Sequence, residues 1–174
     1  GYNATTRRML ICSNTLGTSR QLTAAAVSIT NCNLRDLAGV GASRWDVSAG
    51  KNSDYGGNLG ITFTTPLYNY WVGHSGSWSD VTHWASTETG VGGTGRVPIP
   101  QDIAVFGVYS FPVITGRIVT MDVTDICSIN ATQALNTPTF TSTVGTLNCY
   151  GNLDLGTVVW NPAITFKNRL GIST

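Results

Sequence analysis

The sequence predicts an all-β fold of short-stranded modules, solenoid-like or sandwich-like, and three observations carry that prediction. Only 11% of the 174 residues are charged, where an ordinary soluble domain carries roughly a quarter. Thr (25), Gly (20), Ser (14) and Asn (13) fill the balance while the apolar share stays at 41%, a mixture rich in strand and turn formers. Third, alternating or β-branched runs recur along the whole chain, each closed by Gly, Asn, Asp or Pro, and no window carries a helical period.

In chain order the runs are as follows. Met9–Cys12 is a short apolar run stopped by Ser13-Asn14. Leu22–Thr30 is small and β-branched and ends at Asn31. Gly60–Thr64 alternates Ile61 and Phe63 with threonines. Ile103–Val108 and Val113–Met121 flank Phe111-Pro112, and Asp125–Asn130 follows. Thr139–Thr143, Thr146–Tyr150, Thr157–Trp160 and Ala163–Phe166 complete the set, separated by Gly and Asn corners. The best helical candidate, Leu34–Ala38, is bounded by Gly39 and Gly41 and offers one turn at most.

Composition also excludes classes of function. Low net charge (+1) with a substantial apolar fraction is the opposite of a disordered chain. The same charge gives no electrostatic footprint for nucleic acid or an anionic membrane. No apolar run reaches the ~20 residues of a helical membrane span. The first residue is Gly1 and the last stretch, Ala163 to Thr174, stops inside a strand-like pattern; the chain is therefore read as a segment of a longer polypeptide.

Composition shifts near Tyr68, which places a boundary at about 65–68, next to Pro66: residues 1–66 end one β module and 67–174 form a Trp-rich module with a strand-rich run. An echo links the two parts. Asn58-Leu59-Gly60-Ile61-Thr62-Phe63 and Asn161-Pro162-Ala163-Ile164-Thr165-Phe166 share N-x-[GA]-I-T-F at a spacing of 103 residues. That is too far for one solenoid rung, and it fits either recurring β modules or chance in a biased composition.

The most informative stretch runs from Tyr68 to Gly107. Trp71, Trp78 and Trp84 fall within 14 residues, joined by Gly-Ser and Asp turns, and Val97-Pro98-Ile99-Pro100-Gln101-Asp102 follows a glycine-rich loop. Three indoles so close can build a core where short strands supply few aliphatics. The alternative is an exposed platform on which Tyr68, Tyr70, Trp71, Trp78 or Trp84 stack sugar rings. The core reading is favoured, because Trp78-Ser79-Asp80 and His83-Trp84 look like turn-packing positions, with the platform kept as the alternative.

The pattern Tyr-Trp-Val-Gly-x-x-Gly-x-Trp-x-Asp-x-x-His-Trp, followed by Gly-Gly-x-Gly, Val-Pro and Gln-Asp-x-x-Val-Phe, resembles a β-rich module of bacteriophage structural proteins and large bacterial surface proteins. Its sharp part covers about 40 residues, and the flanks resemble the solenoid-like stretches between such modules. His74 departs from it, standing where glycine is expected. The resemblance implies a virion component (tail fibre, spike or capsid-decorating protein) and carries no catalytic residues to transfer. Strand edges at the two ends of such a segment must be covered by further rungs or neighbouring subunits, so a homo-oligomer is expected, a trimer being one form, with other virion proteins and, for host attachment, a surface glycan as partners.

Other chemistry is weakly signalled. The cysteines (Cys12, Cys32, Cys127 and Cys149) lack the C-x-x-C spacing of a zinc site. Pairing within each segment, Cys12 with Cys32 and Cys127 with Cys149, is the simplest disulfide scheme, but apolar contexts favour buried thiols for all four. His74 and His83, with Asp80 as the obvious third partner, read as hydrogen-bonded packing residues rather than ligands. Gly92-Gly93-Thr94-Gly95 imitates a phosphate loop, but the prolines after it forbid the helix such a loop needs. The eight aspartates and Glu88 sit mostly at turns, and no carboxylate pair is nominated for glycoside cleavage. Asn3-Ala4-Thr5 and Asn130-Ala131-Thr132 match the glycosylation acceptor pattern, as this composition makes common. No catalytic residue, cofactor or metal is expected. The favoured function is a non-enzymatic structural component of a phage virion. A carbohydrate-binding adhesin module on a bacterial surface is the alternative, and a polysaccharide depolymerase ranks last.

Overall fold

The computed structural model describes residues 8–41 and 45–167. It is a β-solenoid of about seven turns, divided into two compact units, one running to Thr65 and the other spanning Pro66–Lys167.

In the first unit short runs between turn residues become strands of two to four residues: β1 (Met9–Cys12), β2 (Arg20–Thr23), β3 (Cys32–Arg35), β4 (Leu37–Val40), β5 (Trp45–Asp46), β6 (Ser53–Asp54) and β7 (Ile61–Thr62). They stack as β1-β3-β6, β2-β4 and β5-β7. Every pairing is parallel, with Met9 beside Cys32, Arg20 beside Leu37, Asn33 beside Ser53 and Trp45 beside Ile61. Each circuit of the chain returns to the same side of the stack, so parallel pairing needs no helical crossover here. Leu34–Ala38 does not form the helical turn its spacing allows. Asp36 alone separates β3 from β4 at φ 55, a left-handed corner, and both Leu34 and Leu37 then turn into one core with Cys32. The run Leu22–Thr30 is cut to its first two residues: the Ala24 N–H makes a last bond to the Val40 carbonyl, and the chain bends away at Ala25 and Ala26.

The second unit holds β8 (Tyr68–Trp71), β9 (Gly76–Ser77), β10 (Trp84–Ala85), β11 (Ile103–Val105), β12 (Ile118–Met121) and β13 (Asp125–Ile126). It continues with β14 (Ser128–Asn130), β15 (Thr139–Ser142), β16 (Thr146–Cys149), β17 (Leu153–Asp154), β18 (Val159–Trp160) and β19 (Ala163–Phe166). Three columns result: β8-β11-β14-β17, β9-β12-β15-β18 and β13-β16-β19, with β10 added on the outer edge of β8. Register partners Ile103 and Ser128 are 25 residues apart, but Tyr68 and Ile103 are 35 apart. The surplus in the first coil is the Trp and Gly stretch.

Strand alternation sends every second side chain inward. The inward rows are Asn69, Ala104, Ile129 and Leu153; Val119, Phe140 and Trp160; and Ile126, Cys149 and Phe166. Along the third row exposure is 0% at Ile126, 1% at Cys149 and 64% at Phe166, so the last coil has its inner side open among the described residues. The N-x-[GA]-I-T-F echo has a structural counterpart. Ile61–Thr62 and Ala163–Phe166 are each the last strand of the third column in their own unit.

Candidate functional site

The aromatic stretch is the place to look for chemistry. In β8 the alternation points Tyr68 and Tyr70 outward and Asn69 and Trp71 inward. After β9, Asp80 opens a single 3-10 turn (Val81–His83): its carboxylate accepts from the Thr82 backbone N–H at 2.9 Å and from the Thr82 hydroxyl at 2.7 Å. These bonds hold the Asp80 carboxyl below its usual range. The turn reverses the chain, so that β10 runs antiparallel to β8 with Trp84 beside Trp71 and Ala85 beside Tyr70.

The three tryptophans end up inside. Trp71, Trp78 and Trp84 are each 0% exposed. Trp84 packs edge-on to Trp71 (5.1 Å between ring centroids) and to Trp78 (4.9 Å), and all three meet Phe106. Phe106 contacts Phe111 and Phe140, which carries the cluster down to the next coils. The indole N–H of Trp71 donates to the His74 carbonyl and that of Trp84 to the Trp78 carbonyl, both at 2.8 Å. A sugar ring cannot stack on a face that solvent does not reach. The structure therefore corrects the platform expectation for Trp71, Trp78 and Trp84; of the candidates Tyr70, Trp71, Trp78 and Trp84, Tyr70 alone keeps partial exposure, beside Tyr68 at 59%.

The two histidines also have structural positions. His83 lies flat on Trp71, 4.6 Å between centroids and 6° between planes, and its Nδ1 is 3.0 Å from the Val72 carbonyl. Its Nε2 stands 4.0 Å from the Asp80 carboxylate. A Cβ on Gly76 would come within 2.0 Å of the His83 ring, which explains the glycine. His74 takes φ 68, the left-handed conformation that glycine adopts without strain. Among the described residues no group of three or more His, Cys, Asp or Glu side chains could hold a metal ion.

The Gln-Asp pair after the proline loop is a buried anchor, which turn chemistry alone did not reveal. Asp102 is 1% exposed. Its carboxylate accepts from the backbone N–H of Leu67 (2.9 Å) and Ile99 (3.0 Å), from the Asn69 amide (3.3 Å), and from Arg96 through Nε (2.9 Å) and Nη2. Arg96 in turn donates its backbone N–H to Asn69. One carboxylate thus ties the loop, the chain before β8 and the start of β11 together. Asp122 plays a smaller version of this part, accepting from the N–H and hydroxyl of Ser79. The visible signal was an acidic residue directly before a strand, with an arginine six positions upstream.

The cysteines are all free thiols, so neither disulfide pairing forms. Cys32, Cys127 and Cys149 are buried, as their contexts suggested, but Cys12 is exposed. Burial pushes the Cys32 and Cys149 thiols up and that of Cys127 well up, which keeps them protonated and unreactive. The Asn130 side chain of the second glycosylation pattern accepts from the Thr132 N–H and hydroxyl; the first pattern, at Asn3, lies outside the described residues. No helix of the described residues is long and apolar enough to cross a membrane. No family model, curated protein or solved structure matches the chain.

Proposed function

We propose that the chain is a non-enzymatic structural component of a phage particle, as a tail fibre, spike or capsid-decorating protein. One observation carries the structural half of this reading: the chemistry-bearing side chains of the aromatic stretch face inward and fasten the coil. The indoles fill its first turn, Asp102 joins three chain segments, and Asp80 caps the turn that folds β10 back. The virion half rests on the resemblance of the Tyr-Trp-Val-Gly motif to modules of phage proteins. Homo-oligomerisation, with a trimer as one form, belongs to the same proposal. Mass spectrometry of purified particles tests it: peptides of this chain at a fixed stoichiometry support it, and their absence from particles that are otherwise complete overturns it. Light scattering on the full polypeptide tests the oligomer, and a stable monomer counts against it.

A second reading, a glycan-binding module on a bacterial surface, is favoured by one observation. Tyr68 and Tyr70 stand outward on the same strand, with Ile103 and Val105 beside them in register. Glycan-array binding lost on Tyr68→Ala and Tyr70→Ala, with the fold retained, supports this reading; unchanged array signals remove it.

A further inference from the structure

The outward side of the β8-β11-β14-β17 column changes its chemistry from one end to the other. The alternation that sends Asn69, Ala104, Ile129 and Leu153 inward turns their neighbours out. One outward row is Tyr70, Val105, Asn130 and Asp154, side by side in register. A second row begins at Tyr68, and its far end holds Asn152, whose N–H donates to the Ser128 hydroxyl at 3.1 Å. Tyr68, Asn130, Asn152 and Asp154 are exposed, while Tyr70 and Val105 are half-buried. The face therefore runs from aromatic through aliphatic to amide and carboxylate.

Neighbouring strands lie about 4.8 Å apart, so the three steps from Tyr70 to Asp154 span roughly 14 Å. The parallel ladders fix that spacing before any ligand arrives, which keeps the ordering cost of binding low. At the polar end, the Asn130 Oδ1 is taken by the Thr132 N–H and hydroxyl, which leaves the Nδ2 hydrogens as donors. The exposed Asp154 carboxylate is an acceptor with room for more than one hydroxyl. None of the six side chains is cationic, and Asp154 carries the one charge among them.

This chemistry selects among partners. A polyanion finds no cation here and is repelled by Asp154. The core of a protein interface is depleted of carboxylates, whereas half of this face is polar. A neutral oligosaccharide suits both halves: the C–H faces of its rings stack on tyrosine, and its hydroxyls meet the Asn130 amide and the Asp154 carboxylate. We propose that the face binds a neutral oligosaccharide laid across the strands, one ring on Tyr68 and Tyr70 and the following rings over Asn130 and Asp154. The proposal rests on the glycan-binding reading above and adds the class of glycan, its direction across the column and the residues at its polar end.

The experiment presents the full chain with neutral gluco-, galacto- and manno-oligosaccharides of one to four residues, and with sets of the same length carrying sialic or uronic acids. Neutral tri- and tetrasaccharides are expected to bind, and monosaccharides, which cannot reach both ends, at least about tenfold more weakly. By titration calorimetry, Asn130→Ala and Asp154→Ala each weaken the neutral glycan by about tenfold, and Tyr70→Ala by more, with wild-type far-ultraviolet circular dichroism. Asp154→Lys shifts recognition toward the acidic sets; at an exposed position, it keeps the test decisive should Tyr70→Ala fail to fold. Binding that is lost in Tyr68→Ala and Tyr70→Ala but keeps wild-type strength in Asn130→Ala and Asp154→Ala overturns this inference and leaves the glycan reading standing. A wild-type preference for acidic glycans does the same. Absence of binding to any of the sugars removes both.

Discussion

The two units coil in the same way but are held by different means. The second is built on an aromatic core: Trp71, Trp78, Trp84, Phe106, Phe111 and Phe140 are all 0% exposed and touch one another. In the first, the buried apolar cluster is Cys32, Leu34 and Leu37 with half-buried Ile11, Ile29, Ile61 and Phe63 against it. There, buried side-chain amides do much of the fastening. Asn52 is 0% exposed; it accepts from the Cys32 N–H and donates to the carbonyls of Ile29 and Val47. Asn58 joins Leu34, Leu37 and Asp54, and Asn33 donates to the Tyr55 hydroxyl. A coil of two- to four-residue strands leaves many backbone groups at its corners without ladder partners, and a buried group left so costs free energy. The first unit satisfies them largely with amides; the second uses the Asp102 and Asp122 carboxylates and the indole N–H groups of Trp71 and Trp84 around its aromatic core. The same parallel stack accepts either solution.

The difference can be broken at graded depth. The largest effect is expected from Trp84→Ala, which empties the centre of the aromatic cluster; loss of about 3–5 kcal/mol follows from the cavity, read by urea unfolding. Asp102→Ala should cost about 3 kcal/mol, because it removes the buried acceptor of the Leu67 and Ile99 N–H groups and of the half-buried Arg96 guanidinium; the same titration, with unchanged m-value, checks it. Asn52→Ala in the first unit removes three hydrogen bonds and should cost about 1–3 kcal/mol, whereas a value near zero would mean that the amides do not hold that unit. His74→Gly should change stability by less than about 1 kcal/mol, relief of the left-handed strain being set against the extra freedom of glycine when unfolded.

The smallest expected effect is electrostatic. The folded-state pKa of Asp80 is lowered by its bonds to Thr82, so its contribution is full above the unfolded value of about 3.9 and is lost as pH falls through the lower folded value. Asp80→Asn should flatten that acid limb and leave stability at neutral pH nearly unchanged. Thermal unfolding from neutral pH down to about 3 reads both.

Much of the fold was legible, for identifiable reasons. Met9–Cys12 and Ala163–Phe166 match their strands at both ends, because each is a continuous run between turn residues. In the aromatic stretch β11 was read within Ile103–Val108, but β8, β9 and β10 were not, since Tyr-Asn-Tyr-Trp, Gly-Ser and Trp-Ala form no continuous alternating or β-branched run. β3 and β4 were hidden because a single left-handed Asp36 joins them, and Leu34 and Leu37 at a separation of three mimic a helical face. At the candidate site, the tryptophans were legible as a cluster and their turn contexts favoured a core, but the strand faces that bury them were not legible. Composition cannot say which face of β8 points inward; that depends on the register with β11, set by residues more than 30 positions away. The expectation of glycine at position 74 was met in backbone conformation, though not in residue, by φ 68. The exposure of Cys12 was missed because its apolar neighbours Met9 and Leu10 are themselves exposed on the first strand.

The central claim is that the aromatic stretch closes the coil from within. Collisional quenching of tryptophan emission by iodide tests it most directly, on a Trp45→Phe, Trp160→Phe background that leaves only Trp71, Trp78 and Trp84 emitting. The account predicts emission that iodide barely reduces until the protein is unfolded. Quenching in the folded protein as strong as that of free tryptophan would put the indoles in solvent and contradict it.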